Sequence, residues 1–157
     1  MNNTPKKIQE IHDAGIPIYM IITGGGTGAI NELLRYGGGS SVFVGAEVPY
    51  ALHMVNAYTH NQAGETFKCV SADTAEQMAI TAYSNYGNLG VGVTCKLGYE
   101  GEREGRKHFA FIAISTEKET LTTELDNDFF TGDRFADEIL LSNAIIEAIH
   151  EYVTKEN

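Results

Sequence analysis

The run from Ile16 to Ile22 is apolar without interruption and ends in Thr23-Gly24-Gly25-Gly26-Thr27-Gly28. Such a run is the pattern of a strand buried on both faces. Glycines at its end let the backbone turn tightly and approach another group closely. Ala29, Ile30, Leu33 and Leu34 then repeat at helical spacing. A strand, a glycine-rich turn and a helix in that order commit the chain to an α/β arrangement.

The remaining segments extend this pattern. Ile8 and Ile11 share a face of a short helix from Pro5 to Ala14, which Gly15 stops. Gly37-Gly38-Gly39 ends the helix after the glycine turn, and Ser41 to Val48 reads as a second strand. Pro49 to Tyr58 is compatible with a helix, and Asn61 to Phe67 is a polar loop. Ser71 and Asp73 both suit an N-cap, and Asp73 with Glu76 has capping-box spacing. Ala75, Met78, Ala79, Ala82 and Tyr83 follow as an apolar helix face. Leu89 to Thr94, His108 to Ser115 and Thr120 to Leu125 are the further strands, with a charged loop from Lys96 to Lys107. Phe135, Ile139, Ile145, Ile146, Ile149 and Val153 mark a long closing helix. The 157 residues show no repeat and no linker, so the expectation is one domain over 1–157, a layered α/β/α sandwich with a mixed sheet.

A formal charge of -10 repels nucleic-acid phosphates and acidic membranes, which argues against a general nucleic-acid or membrane-surface binder. No stretch approaches the roughly 20 apolar residues of a membrane span. The polar start MNNTPKKIQEIHDAG lacks an apolar signal core, so a cytoplasmic protein is expected. Four of the 11 basic residues, Lys96, Arg103, Arg106 and Lys107, crowd one segment. They form either a solvated loop or the place for an anionic small molecule. Cys69 and Cys95 form no C-x-x-C pair and read as free thiols. The histidines 12, 53, 60, 108 and 150 have no ligand spacing, so no structural metal is expected. No cofactor is expected either.

Gly24-x-Gly26-x-x-Ala29 fits the dinucleotide fingerprint, with Glu47 at the end of the next strand as the ribose-binding acid. Against it stand the short chain, the second glycine break at Gly37-Gly38-Gly39 and the lack of a hydride-transfer partner. A Walker A loop is excluded because no Gly-Lys-Ser/Thr follows.

A colinear set of segments instead resembles the C-terminal domain of the CinA family, the nicotinamide-nucleotide amidohydrolases. The family's A-E-S-C-T-G-G loop and P-G-S-S turn are similar to Ile22 through Gly28 and to Gly39-Ser40-Ser41. Its F-L-G-G-V-V-A-Y-S segment resembles Phe43 through Ala51, and its V-S-x-x-x-A-x-x-M-A helix resembles Val70-Ser71 through Ala75, Met78 and Ala79. Its V-T-G-I-A-G-P strand and F-S-G-D-R turn look like Val93 through Tyr99 and Phe130-Thr131-Gly132-Asp133-Arg134. A closer likeness is to a divergent branch in which the domain precedes a nucleotidylyltransferase. There a K-R-G-D-H-R segment resembles Glu104 through Phe109.

The resemblance implies hydrolysis of the carboxamide of nicotinamide mononucleotide by a serine nucleophile, assisted by a tyrosine and a lysine. Those positions fall on Gly24, on Tyr50 and at or near Val55, and Glu138 replaces the arginine of G-D-R-x-x-x-R. The reaction needs a nucleophile, a base and oxyanion donors, and Gly24 and Val55 leave the first two roles empty. Thr23 and His53, with Tyr50, are the candidate replacements; Thr27 carries a further hydroxyl, and Cys95 beside Lys96 is another nucleophile to weigh. The plainer readings are helix caps for Thr23 and Thr27, a buried Cys95 and a surface His53. Backbone donors at the helix start survive these losses. The expected ligand site is therefore Gly24, Gly25, Gly26, Thr27 and Gly28 with Ser40, Ser41, Thr94, Arg106 and Lys107. Its ligand would be a nucleotide or another phosphorylated small molecule. The functional expectation is a catalytically silent nucleotide binder. The alternatives are an active amidohydrolase with relocated groups and a regulatory oligomeric partner. A homo-oligomer and a separate nucleotidylyltransferase are the expected partners.

Overall fold

The structure is a computed structural model that describes residues 4–59 and 68–155; the expected loop from Asn61 to Phe67 and His60 lie outside the described residues. Its centre is a mixed sheet of order β2-β1-β3-β4-β5. Strand β1 (Ile18–Thr23) lies between parallel strands β2 (Phe43–Glu47) and β3 (Leu89–Lys96). Strands β4 (Phe109–Ser115) and β5 (Thr120–Leu125) continue the sheet antiparallel. Helices α1 (Thr4–Ala14), α2 (Gly28–Arg35) and α5 (Arg134–Lys155) cover one face, and α3 (Leu52–Thr59) and α4 (Ala72–Asn85) the other. This is the layered α/β/α sandwich with a mixed sheet that the sequence pattern leads one to expect.

The pleat divides each central strand between two cores. Ile18, Met20 and Ile22 of β1 join Leu89, Val91 and Val93 of β3 under α1, α2 and α5, while Tyr19 and Ile21 face Val55, Met78 and Ala82. Between the valines of β3, a Cβ on Gly92 would stand 2.1 Å from Ala75 O and 2.6 Å from Ala79 N. The missing side chain lets α4 lie directly on the sheet, and its alanines keep that contact flat. Close backbone approach, rather than strand propensity, accounts for the glycine at the centre of the sheet.

Element edges differ locally from the sequence reading. β1 begins after Pro17, which carries no N–H for a ladder, and β3 runs on through Lys96 against β4. The residues before β2 form a short 3-10 turn, Gly39–Ser41. Ser71 is the N-cap of α4, its Oγ accepting from Thr74 N–H at 3.2 Å; Asp73 lies inside the helix and accepts from Gln77.

Chain order sets the location of any site. From β1 the chain passes through α2 to β2 on one side, then through α3 and α4 across the other face to β3 on the opposite side of β1. The carboxyl ends of β1 and β3 therefore meet at a topological switch point, the usual ligand crevice of an open α/β sheet. Thr23–Gly28 and Cys95–Gly98 are the segments that meet there.

Gly92→Val is expected to cost roughly 1–3 kcal/mol or more, because it forces α4 off the sheet. Urea unfolding measures this, and a midpoint equal to that of the unaltered protein would contradict the direct seating.

Candidate functional site

At the switch point the glycine loop is packed against the end of β3. Gly24 has φ +89°, and a Cβ there would stand 2.7 Å from Cys95 O and 3.1 Å from Cys95 Sγ. The position onto which the sequence resemblance maps a serine thus combines a left-handed backbone with contact against another backbone. It has no room for any side chain.

Beyond it, the amides at the start of α2 are already in use. Gly26 N–H donates to Glu138 Oε1 at 2.7 Å and Gly28 N–H to Glu138 Oε2 at 3.3 Å, and Ser142 Oγ donates to Oε2 at 2.7 Å. Thr27 occupies the N-cap position, but its side chain makes no capping bond; the cap is a carboxylate from α5. Arg134 holds the other side of the crevice. Its Nη1 donates to Gly98 O at 3.0 Å and Leu97 O at 3.4 Å, and its Nη2 to Gly24 O at 3.3 Å. Asp137, fully buried between them, accepts from Thr131 N–H and Oγ1, each at 2.8 Å, and from Gly132 N–H at 2.9 Å.

The side chains singled out from the sequence do not converge. Thr23 is only 3% exposed. Thr94 is fully buried, its hydroxyl donating to Cys69 O at 2.8 Å. Tyr50 is 68% exposed and His53 is exposed on α3, at the same sheet edge as the loop, yet neither is hydrogen-bonded to it among the described residues. Val55, at or near which the resemblance puts the lysine, is fully buried with Tyr19 and Ile21. Ser40 and Ser41 lie at the opposite end of the strands, before β2, where Ser41 Oγ donates to Gly38 O at 2.8 Å. A β-α-β unit places the turn after its first strand and the turn before its second at opposite ends. Neither serine therefore meets the glycine loop.

Two further side chains have different surroundings from those their sequence neighbours suggest. The Cys95 thiol is pushed up to about 12 by burial, and by the Glu138 carboxylate against the smaller opposing pull of Arg134. Lys96 does not lower it, because the pleat turns successive residues to opposite faces and Lys96 Nζ lies over the Phe109 ring. A protonated, buried thiol is no nucleophile at neutral pH. Glu47, the ribose-binding candidate, accepts from Tyr19 OH at 2.8 Å and from Tyr58 OH, so both its oxygens are occupied.

The basic segment lies across the crevice. Arg106 Nη1 donates to Leu97 O at 2.8 Å and to Glu102 Oε1 at 2.7 Å, and its guanidinium covers the Tyr99 ring. Glu102 also accepts from His108 Nε2, at 2.8 and 3.1 Å for its two oxygens. Beside them a shallow basin of about 260 Å³ is lined by Arg106, Lys107, His108, Asn127, Thr131 and Gly132. Among the described residues no three His, Cys, Asp or Glu side chains are grouped to hold a metal, and no helix is long and apolar enough to cross a membrane.

Glu138→Ala is expected to destabilise the fold by about 1–2 kcal/mol, since it strips two amides and a hydroxyl of their acceptor. Glu138→Gln retains one acceptor oxygen and is expected to cost less in urea unfolding. Equal stability of both variants and the parent protein would contradict the capping role. Glu102 supplies a pH dependence. Burial favours its neutral form, but the hydrogen bonds from His108, Arg106 and Tyr99 N–H outweigh this and hold its pKa below 4.5. A lowered folded-state pKa contributes stability that is complete above the unfolded value and lost as pH falls through the folded one. Stability should therefore decline with acid below about pH 4.5, and Glu102→Gln should flatten that part of a pH series of unfolding curves.

No protein-family model matches the sequence, and no curated protein matches it. Solved structures do. A competence or damage-inducible protein from Enterobacter asburiae superposes with a TM-score of 0.80 at 15% identity, covering 100% of both chains. The competence/damage inducible protein CihA from Agrobacterium tumefaciens gives 0.79 at 17% identity over 100% of this chain and 98% of its own. A CinA superfamily protein from Escherichia coli gives 0.74 at 17% identity over 97% and 87%. The whole described architecture, from α1 to α5, is thus the fold of the competence/damage-inducible CinA proteins.

Proposed function

We propose that this chain is a non-hydrolytic CinA-like domain of the cytoplasm that binds a phosphorylated small molecule, nicotinamide mononucleotide or a related nucleotide, beside a loop it has closed with its own side chains. The observation that carries this reading is the Glu138 carboxylate on the Gly26 and Gly28 amides. A phosphate brought to the same amides would face that carboxylate. Two unit charges about 4 Å apart repel by about 4 kcal/mol at an effective dielectric of 20. The start of a helix attracts an anion by only about 0.3–2 kcal/mol. Repulsion prevails, which directs an anionic ligand to the basic side of the crevice near Arg106 and Lys107. Hydrolysis is opposed independently: Gly24 admits no side chain, Val55 is buried, and Cys95 is protonated.

A role as a partner protein, as a homo-oligomer or beside a nucleotidylyltransferase, draws support from a different observation. Val44, Val48, Tyr50, Leu52 and Met54 form a run of exposed apolar side chains along β2, the edge strand of the sheet, and the start of α3. Runs of this kind mark interaction surfaces.

Purified protein incubated with nicotinamide mononucleotide tests the main reading by release of ammonia and nicotinate mononucleotide. The expected result is no turnover above the blank, both for the unaltered chain and for Gly24→Ser. Steady turnover abolished by Tyr50→Phe would instead establish an active hydrolase with relocated groups.

A further inference from the structure

We propose that the outer face of α2 and of the first half of α5 is a contact between two copies of this chain, related by a two-fold axis close to Ile139. The contact needs neither a bound nucleotide nor the apolar run on β2 and α3.

Phe135 is 86% exposed and Ile139 63%, although α5 packs into the core through Leu141, Ile145 and Ile149. Asn143 follows one turn later and is exposed as well. Residues 135, 139 and 143 therefore form an uncharged ridge at intervals of four along the helix, the kind of row that packs into the groove of another helix. On α2, which lies against α5, Asn31 and Leu34 extend this surface, and both are exposed. A shallow groove of about 120 Å³ separates the two helices, lined by Gly28, Asn31 and Glu32 of α2 and by Glu138, Ser142 and Asn143 of α5. It is shallow because the helices meet closely beneath it: a Cβ on Gly28 would stand 2.5 Å from Ser142 Oγ.

Spacing and charge together select a second copy as the occupant. Phe135 and Asn143 each lie four residues from Ile139, about 6 Å along the helix in opposite directions. Two α5 helices that cross antiparallel at Ile139 bring Phe135 of each copy to Asn143 and the adjoining groove of the other. One contact made twice in this way is isologous and closes at the dimer. Helical side chains lean toward the N-terminus, so Phe135 leans away from the groove of its own chain. A formal charge of -10 resists self-association over most of the surface. This face is the exception, because α2 and residues 134–143 hold only Glu32, Asp137 and Glu138 against Arg35 and Arg134. Glu32 pairs with Arg35 at 3.3 Å, and Asp137 is fully buried. Glu138 keeps its charge, but its oxygens are turned inward onto the Gly26 and Gly28 amides at the positive end of α2. A nearly neutral face offers a basic partner little to hold and meets its own image with little repulsion.

Analytical ultracentrifugation of the full chain tests this. The unaltered protein is expected to sediment at twice its 17.1 kDa. Ile139→Asp sets two carboxylates face to face at the axis and should sediment at 17.1 kDa with an unchanged circular dichroism spectrum. Phe135→Ala should raise the dimer dissociation constant roughly tenfold or more. Ile139→Cys, at an exposed site on the axis, should give a disulfide-linked dimer with diamide at a dose that leaves the unaltered chain unlinked. A protein that is monomeric at its highest soluble concentration would overturn the proposal. So would a dimer that persists in Ile139→Asp and dissociates in Leu52→Asp, which would put the contact on the β2 and α3 run. A dimer that Ile139→Asp dissociates but Ile139→Cys does not link would overturn the two-fold axis at this residue.

Discussion

The Glu138 carboxylate on the amides of Gly26 and Gly28 is the contact on which the rest of the crevice depends. A helix that begins in a glycine loop presents free N–H groups, and burying them without an acceptor is costly. Here the acceptor is a side chain of the closing helix, so the start of α2 is stitched to the start of α5. The same contact that stabilises the loop occupies the place where an external anion would otherwise sit.

The first two turns of α5 repeat this matching of opposites. Arg134 offers donors to three carbonyls, while Asp137 and Glu138 offer acceptors to amides of two separate turns. Glycine at position 24 completes the closure, because it lets the loop lie on Cys95 without a gap. The result is a CinA-type fold whose switch-point crevice is filled from within. Its polar basin lies one strand further along, at the start of β4.

Much of the scaffold was legible because it is local. The apolar run, the glycines and the helical repeat at Ala29, Ile30, Leu33 and Leu34 lie within a short stretch, and they form the expected strand, turn and helix, with Leu34 left exposed. The site was less legible because its contacts are not local. Glu138 stood out as an acid in place of an arginine, yet its bond to the loop spans 110 residues. Ser40 and Ser41 match a motif by sequence, but the β-α-β connection carries them to the opposite end of the strands. Lys96 adjoins Cys95 in the chain and is separated from it by the pleat. His108 read as the first residue of a strand and as a histidine without ligand spacing, since nothing in the spacing tied it to Glu102. The neighbours in space that decide protonation and access were in each case supplied by another element.

The central claim is that the anion site at the glycine loop is filled by the chain itself. Backbone amide spectra of the unaltered chain and of Glu138→Gln, each followed during addition of nicotinamide mononucleotide at neutral pH, test it directly. The Gly26 and Gly28 amide signals should differ between the two proteins, and saturating mononucleotide should leave them in place in the unaltered chain. Large shifts of both amides on adding the mononucleotide, with no response to Glu138→Gln, would contradict the account.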